Sequence, residues 1–206
     1  MPKPTDKRPS GREMRAITVP LEMRAAADGE GNRTASGYAA VFGVESDIGG
    51  YWREEIAPGA FAASLAKRDV IAVHSHDTGR IVGRLGAGTL TLREDSKGLA
   101  FENPLPDTTD GRDLAVQIDR GDIAGMSFAF IATREEWNDM VEPPKRTILE
   151  CDLYEITYTA FPQYPDTEVG LRSLEGARNE RRSAPPASAT SMAARRARQA
   201  HLDRNL

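Results

Sequence analysis

The chain has 206 residues, of which 39% are hydrophobic and 28% charged, with a formal net charge of -4. That is enough for one domain with a real core plus some tail, in the composition range of soluble globular proteins. The balance excludes an obvious general nucleic-acid binder. No run reaches the roughly 18 consecutive apolar residues of a membrane helix, and the polar, basic segment 1–12 is not a secretory signal. Cys151, the single cysteine, cannot form an internal disulfide and reads as a core residue; a cytosolic compartment fits these features.

Three regions separate by composition. Residues 1–13 lack periodicity and read as a disordered arm. Residues 14–170 hold nearly all the large apolar side chains. Residues 171–206 carry eight arginines and three acidic residues, so this tail is about +5 and the remainder about -9. The tail reads as a disordered or marginally helical extension. Its charge suits either a solubilising extension or an address for an acidic partner.

Within the middle region the dominant period is two. Ile17, Val19, Leu21 and Met23 alternate with polar residues and predict a strand, near an edge because of Pro20. A second strand follows over 34–44, with Gly37 permitting a bulge or a close approach. A helix is expected over 59–68 behind Pro58, and a short strand over 70–76. The cluster Gly83-Arg84-Leu85-Gly86-Ala87-Gly88 reads as a turn, because the strand-to-helix context of a phosphate loop is missing. Strands over 89–93 and 98–102 form a hairpin through a charged turn. A helix over 110–120 takes Asp110 as N-cap and Gly121 as stop, with Leu114 and Ile118 facing the sheet. Strands over 126–132 and 147–161 complete the set. The expected class is α+β, mainly β: a small antiparallel barrel or curled sheet with two or three helices outside.

Three histidines are available, His74, His76 and His201. On a strand over 70–76 the first two share a face, and His76 stands at the strand end before a polar loop, where a general base fits. Ser127 lies in Gly125-Met126-Ser127-Phe128-Ala129-Phe130. A hydroxyl among bulky apolar residues needs a partner, because burying it unpaired costs roughly 1–3 kcal/mol. An imidazole would both satisfy and activate it, and Gly125 suggests backbone N–H groups for an oxyanion. The alternative is a serine bonded to backbone. Glu155 sits inside an apolar strand, where alternation places it on the face of Leu153, and could orient the imidazole. His74 competes for that role, and Asp77 is a weaker choice. No metal site is expected: His74-x-His76 offers two ligands, but no Cys/His zinc spacing accompanies it. No cofactor fingerprint occurs.

The order of these segments resembles a known family. Gly37-Tyr38-Ala39-Ala40-Val41-Phe42 is followed by Glu54-Glu55-Ile56-Ala57-Pro58-Gly59-Ala60-Phe61, then His76-Asp77, Ile81-Val82-Gly83-Arg84 and Gly98-Leu99. Arg120-Gly121, the Ser127 segment, Leu153-Tyr154-Glu155-Ile156 and Phe161-Pro162 complete the series. Together they resemble the prohead proteases of tailed phages, relatives of the herpesvirus assemblins, over residues 14–170. Ser75 stands where asparagine is common, Ala129 where glycine often lies, and Gln163 interrupts a frequent Pro-Ala pair.

The resemblance implies a serine endopeptidase without a cofactor, with Ser127 as nucleophile and His76 as base. Assemblins use a second histidine as third member. For the phage branch an acid in the closing strand is the choice, which takes Glu155 here with His74 as alternative. The implied substrate is scaffold, or the scaffolding segment of the capsid protein precursor, and the protease itself, cut inside a procapsid in the host cytoplasm. A portal contact and a homodimer are left open; a membrane or a specific nucleic acid is not implied. The competing function is a non-catalytic assembly protein on the same fold.

Overall fold

The computed structural model describes residues 11–25 and 33–161. The basic tail and most of the N-terminal arm lie outside the described residues. The described chain runs β1 (Glu13–Thr18), β2 (Glu22–Arg24), β3 (Thr34–Val41), β4 (Ser46–Ile48), β5 (Trp52–Ile56), α1 (Ala62–Leu65), β6 (Ile71–His74) and β7 (Asp77–Arg84). It continues with β8 (Thr91–Glu94), β9 (Gly98–Pro104), α2 (Thr109–Arg120), β10 (Gly125–Asn138) and β11 (Lys145–Thr159).

Two sheets result. The first has seven strands along β1-β10-β11-β5-β4, with β6 also on β11 and β7 on β6; the second has the order β2-β3-β9-β8. The long strand β11 takes two short strands in parallel at its two ends. β5 pairs with Lys145–Ile148 and β6 with Glu155–Tyr158. The sheets do not close into a barrel, so of the two expected forms the open, curled sheet is the compatible one. Pro20 accounts for a second difference. The single strand expected over 17–23 is divided at Val19-Pro20-Leu21, and its halves join different sheets, because proline has no N–H for the ladder. Gly37 on β3 makes the close approach: a Cβ there would lie 3.1 Å from the Pro20 carbonyl oxygen.

The core lies between the sheets. Phe101 of β9 meets Tyr158 of β11 edge to face, with ring centroids 5.8 Å apart; Phe61 meets Phe128 edge to face, and Phe128 lies tilted against Phe130 in the same core. Leu114 and Ile118 of α2 are buried in this core, and Gly121 closes the helix in the left-handed conformation. The N-cap is Thr108, not Asp110; the Thr108 hydroxyl accepts the Gly111 N–H at 3.2 Å. Asp110 falls in the first turn, where a carboxylate still favours the positive end of the helix dipole. The first helix is a single turn, much shorter than the 59–68 expected. Cys151 is buried in the core, and burial holds its thiol protonated well above the ordinary value.

Two glycines of the ordered motifs have steric reasons. Gly98 lies against the Ala40 carbonyl, where a Cβ would come within 2.1 Å of the oxygen. Gly83 leaves room for the buried amide of Asn103, one terminal atom of which a Cβ would approach to 2.4 Å. With its nitrogen toward Val82 and Thr89, that amide donates to both carbonyls at 3.1 Å and accepts the Tyr158 hydroxyl at 3.0 Å.

A buried ionic cluster fixes the first sheet. Arg146 of β11 is 0% exposed. It donates to Glu13 of β1 at 2.7 and 2.9 Å, to Glu54 of β5 at 2.9 Å, and to Glu135 of β10. Arg15 bonds Glu13 and Glu54 as well, each at 2.6 Å. Four strands of one sheet therefore converge on two guanidinium groups. Burial alone would raise the Glu54 carboxyl, but Arg15 and Arg146 outweigh it and hold it below the ordinary value of 4.5. A depressed carboxylate stabilises the fold fully above 4.5 and loses that contribution as the pH falls below it.

Two outcomes follow for stability. Arg146→Met, which leaves buried carboxylates uncompensated, lowers the unfolding free energy by about 3–5 kcal/mol in urea titration. Glu54→Gln flattens the decline of wild-type stability measured from pH 5 down to about 3, since the titrating group is gone.

Candidate active site

Ser127 and Glu155 occupy the central pair of strands. In the β10–β11 ladder Ser127 pairs with Thr157 and Ala129 with Glu155, while Phe128 pairs with Ile156. Cross-strand pairs share a face. The alternate residues Met126, Phe128, Ile156 and Tyr158 therefore enter the core, and Ser127, Thr157 and Glu155 share the opposite face. Simple alternation would have grouped Glu155 with Leu153. The register instead shifts by one residue between Ala129 and Phe130, with Phe130 opposite Leu153. The extra residue, Tyr154, is accommodated as a bulge. Leu153 and Ile156 can then both be buried in the core while Glu155 faces away from it.

His76 reaches this face from a turn. The strand expected over 70–76 stops at His74, which pairs with Asp77, and Ser75-His76 form the two-residue loop of the β6–β7 hairpin. Both are left-handed, with φ of 54° and 58°, as a tight hairpin of matching twist requires. The Ser75 N–H donates to the Tyr158 carbonyl at 3.0 Å, which ties the turn to β11. His74 and His76 consequently do not share a strand face. His74 is buried beside Tyr158 in register, and its Nδ1 has no hydrogen-bond partner among the described residues. Burial, with Arg80 nearby, lowers its pKa. Asp77 is turned to the Gly79 N–H at 2.8 Å.

The Nδ1 of His76 lies 2.7 Å from Oε1 of Glu155. An ionised carboxylate only accepts, so this contact assigns the proton to Nδ1 and leaves Nε2 as the basic nitrogen of a neutral ring. The Thr157 hydroxyl stands 3.3 Å from the same Nδ1 and 3.5 Å from the same carboxylate oxygen. The other carboxylate oxygen accepts from Arg12 at 2.7 Å. Glu155 is 3% exposed and Ser127 2%, while the His76 side chain is 30% exposed. The buried acid is thus fully engaged, and the imidazole presents one edge outward. Gly125 is not a loop residue; it pairs with Thr18 on one side and Thr159 on the other. Among the described residues no three His, Cys, Asp or Glu side chains group as a metal site would require.

Of the sequence-predicted residues, His76 and Glu155 are in direct contact, Ser127 is on their face one cross-strand step from Thr157, His74 is buried away from the pair with its Nδ1 unbonded, and Asp77 accepts from the Gly79 N–H. Sequence reasoning missed Thr157 and Arg12. Thr157 carried a signal, since it stands two residues from Glu155 on the same strand face. Arg12 carried none, because only the pairing of β1 brings it there.

Left-handed φ in residues other than glycine costs about 1–2 kcal/mol each. Ser75→Gly is therefore expected to raise the unfolding free energy by about 1 kcal/mol, and Ser75→Asn by less, asparagine being tolerated in this conformation. His76→Gly relieves the same strain but removes a hydrogen bond to the buried Glu155 carboxylate, so it is expected to be less stable than Ser75→Gly. Denaturant melts of the three variants measure this.

The family model of caudovirus prohead serine proteases matches residues 20–180. No curated protein matches. Among solved structures the chain is similar to the bacteriophage T4 capsid assembly protease, at 9% identity and a TM-score of 0.46, over 72% of this chain and 98% of that one. Because the family match covers well over half of the sequence, including the His76 turn and both long strands, the chain belongs to the caudovirus prohead serine protease family.

Proposed function

We propose that this family member is a serine endopeptidase acting through Ser127, His76 and Glu155, and that it cleaves scaffold, or the scaffolding segment of the capsid protein precursor, inside the procapsid. The observation that carries the reading is the 2.7 Å contact between His76 Nδ1 and the buried Glu155 carboxylate, on the strand face that Ser127 shares. An acid held against one imidazole nitrogen fixes the tautomer in which the other can act as base.

In this mechanism the Ser127 oxygen attacks the scissile carbonyl carbon while His76 Nε2 takes the hydroxyl proton. The carbonyl π pair moves to oxygen, giving a tetrahedral oxyanion. Collapse breaks the C–N bond, and His76 returns the proton to the leaving amine. Water then attacks the acyl-serine, again losing its proton to Nε2, and the acid product leaves as Ser127 is reprotonated. Glu155 stabilises the imidazolium formed in each half and does not itself take the proton. Thr157 offers Nδ1–H a second acceptor, which narrows the orientations open to the ring. Cleavage of the protease's own chain in the same procapsid belongs to this proposal.

Co-expression with the capsid protein precursor, followed by intact-mass analysis, tests the reading. The wild type is expected to yield shortened products and Ser127→Ala only the uncut chain; identical uncut products from both would overturn it and favour a non-catalytic assembly role. Glu155→Gln, which keeps the shape but loses the charge, is expected to reduce kcat on the order of a thousandfold, measured on a peptide spanning the mapped cut.

A further inference from the structure

Arg12 lies just before β1, outside every motif that identifies the family. Alternation along β1 turns Glu13 and Arg15 into the ionic cluster and leaves the residue before the strand on the opposite side, with Met14 and Ala16. Met14 and Ala16 pair with Ala129 and Ser127, which is the face of the candidate site. There Arg12 donates to Glu155 Oε2 at 2.7 Å, and its guanidinium carbon sits 5.1 Å from the centre of the Tyr154 ring. Tyr154 is the bulged residue beside Glu155, and the guanidinium carbon of Arg68 lies 4.7 Å from the same ring centre.

We propose that Arg12 is a positioning residue: it holds the second oxygen of Glu155 so that the first stays fixed and charged against His76 Nδ1. For its effect on turnover this rests on the catalytic reading above; the contact itself does not. A carboxylate with one partner can swing about its terminal torsion, which is broad and roughly two-fold. With a partner on each oxygen it is clamped. The cation also offsets the carboxylate charge that faces the ring, so its removal leaves His76 opposite an uncompensated anion. The other charged groups around the pair are committed elsewhere. Asp77 is turned to the Gly79 N–H, Asp152 pairs with Arg68, and Glu13 pairs with Arg15 and Arg146. Arg12 is 48% exposed against 3% for Glu155, so its contribution is moderated by solvent.

The test is an NMR titration of the imidazole C–H resonances in the full chain, the His76 signal being the one lost in His76→Asn. In Arg12→Gln the His76 midpoint is expected to rise by a few tenths of a unit up to about one. At neutral pH kcat is expected to fall roughly three- to tenfold with KM unchanged. Arg12→Lys restores most of both changes. Arg12→Met, which keeps an apolar stem over Tyr154, is the second charge-removing variant should Arg12→Gln fold poorly. A His76 midpoint unmoved in a folded charge-removing variant overturns the proposal, as does a rise in KM with kcat unchanged. An uncut substrate with wild type and Ser127→Ala alike would overturn the catalytic reading instead, and the titration would still decide the role of Arg12.

Discussion

Arg146 is completely buried with three carboxylates around it, and the geometry of the site depends on that arrangement. A guanidinium can be kept dry only where acids neutralise it and satisfy its N–H groups. Here the acids come from β1, β5 and β10 while the arginine comes from β11. Slipping any of these strands by one residue would turn an acid out of the cluster and bury a charge unpaired. The cluster thereby sets the register of β1 on β10, with Ala16 opposite Ser127 and Arg12 within reach of Glu155. Replacing such a cluster with apolar residues can leave stability unchanged. What it supplies here is a unique alignment of strands that meet at one edge of the core and carry the candidate site on their other face.

The β10–β11 pair divides its labour by face. One side carries Phe128, Ile156 and Tyr158 into a core shared with the second sheet. The other holds polar groups that a core position would not tolerate. The bulge at Tyr154 makes the division possible, because it lets Leu153 and Ile156 stay in the core while Glu155 takes the opposite face. The cost of presenting His76 is carried by the hairpin, which holds two side-chain-bearing residues in a conformation suited to asparagine and glycine. Strain of this kind persists where the surrounding structure dictates the geometry. Here the Ser75 N–H bond to Tyr158 and the ladder from His74 to Asp77 do so.

Much of this was legible in the sequence, for identifiable reasons. Strands with polar residues in otherwise apolar runs flagged Ser127 and Glu155, and the glycine after the second helix marked its end. The sequence order of short motifs pointed to the family that the family match bears out. What escaped was non-local. Alternation placed His76 on a strand with His74, because a two-residue turn without glycine or asparagine gives no turn signal. The face of Glu155 was inverted by a bulge, which a period-two reading cannot detect. The β4–β5 hairpin went unseen: Glu54 looks like a surface residue until two arginines are placed beside it. Arg12 sat in what reads as a disordered arm, and only the cluster one residue away orders it.

The central proposal is that Ser127 is a nucleophile activated by His76. A fluorophosphonate that phosphonylates activated serines tests it most directly, with peptide mapping by mass spectrometry to locate the adduct. The account predicts one adduct on Ser127 in the wild type, and strongly slowed labelling in His76→Ala and Glu155→Gln. An unlabelled Ser127, an adduct on another serine, or labelling at Ser127 that is indifferent to His76 would contradict it.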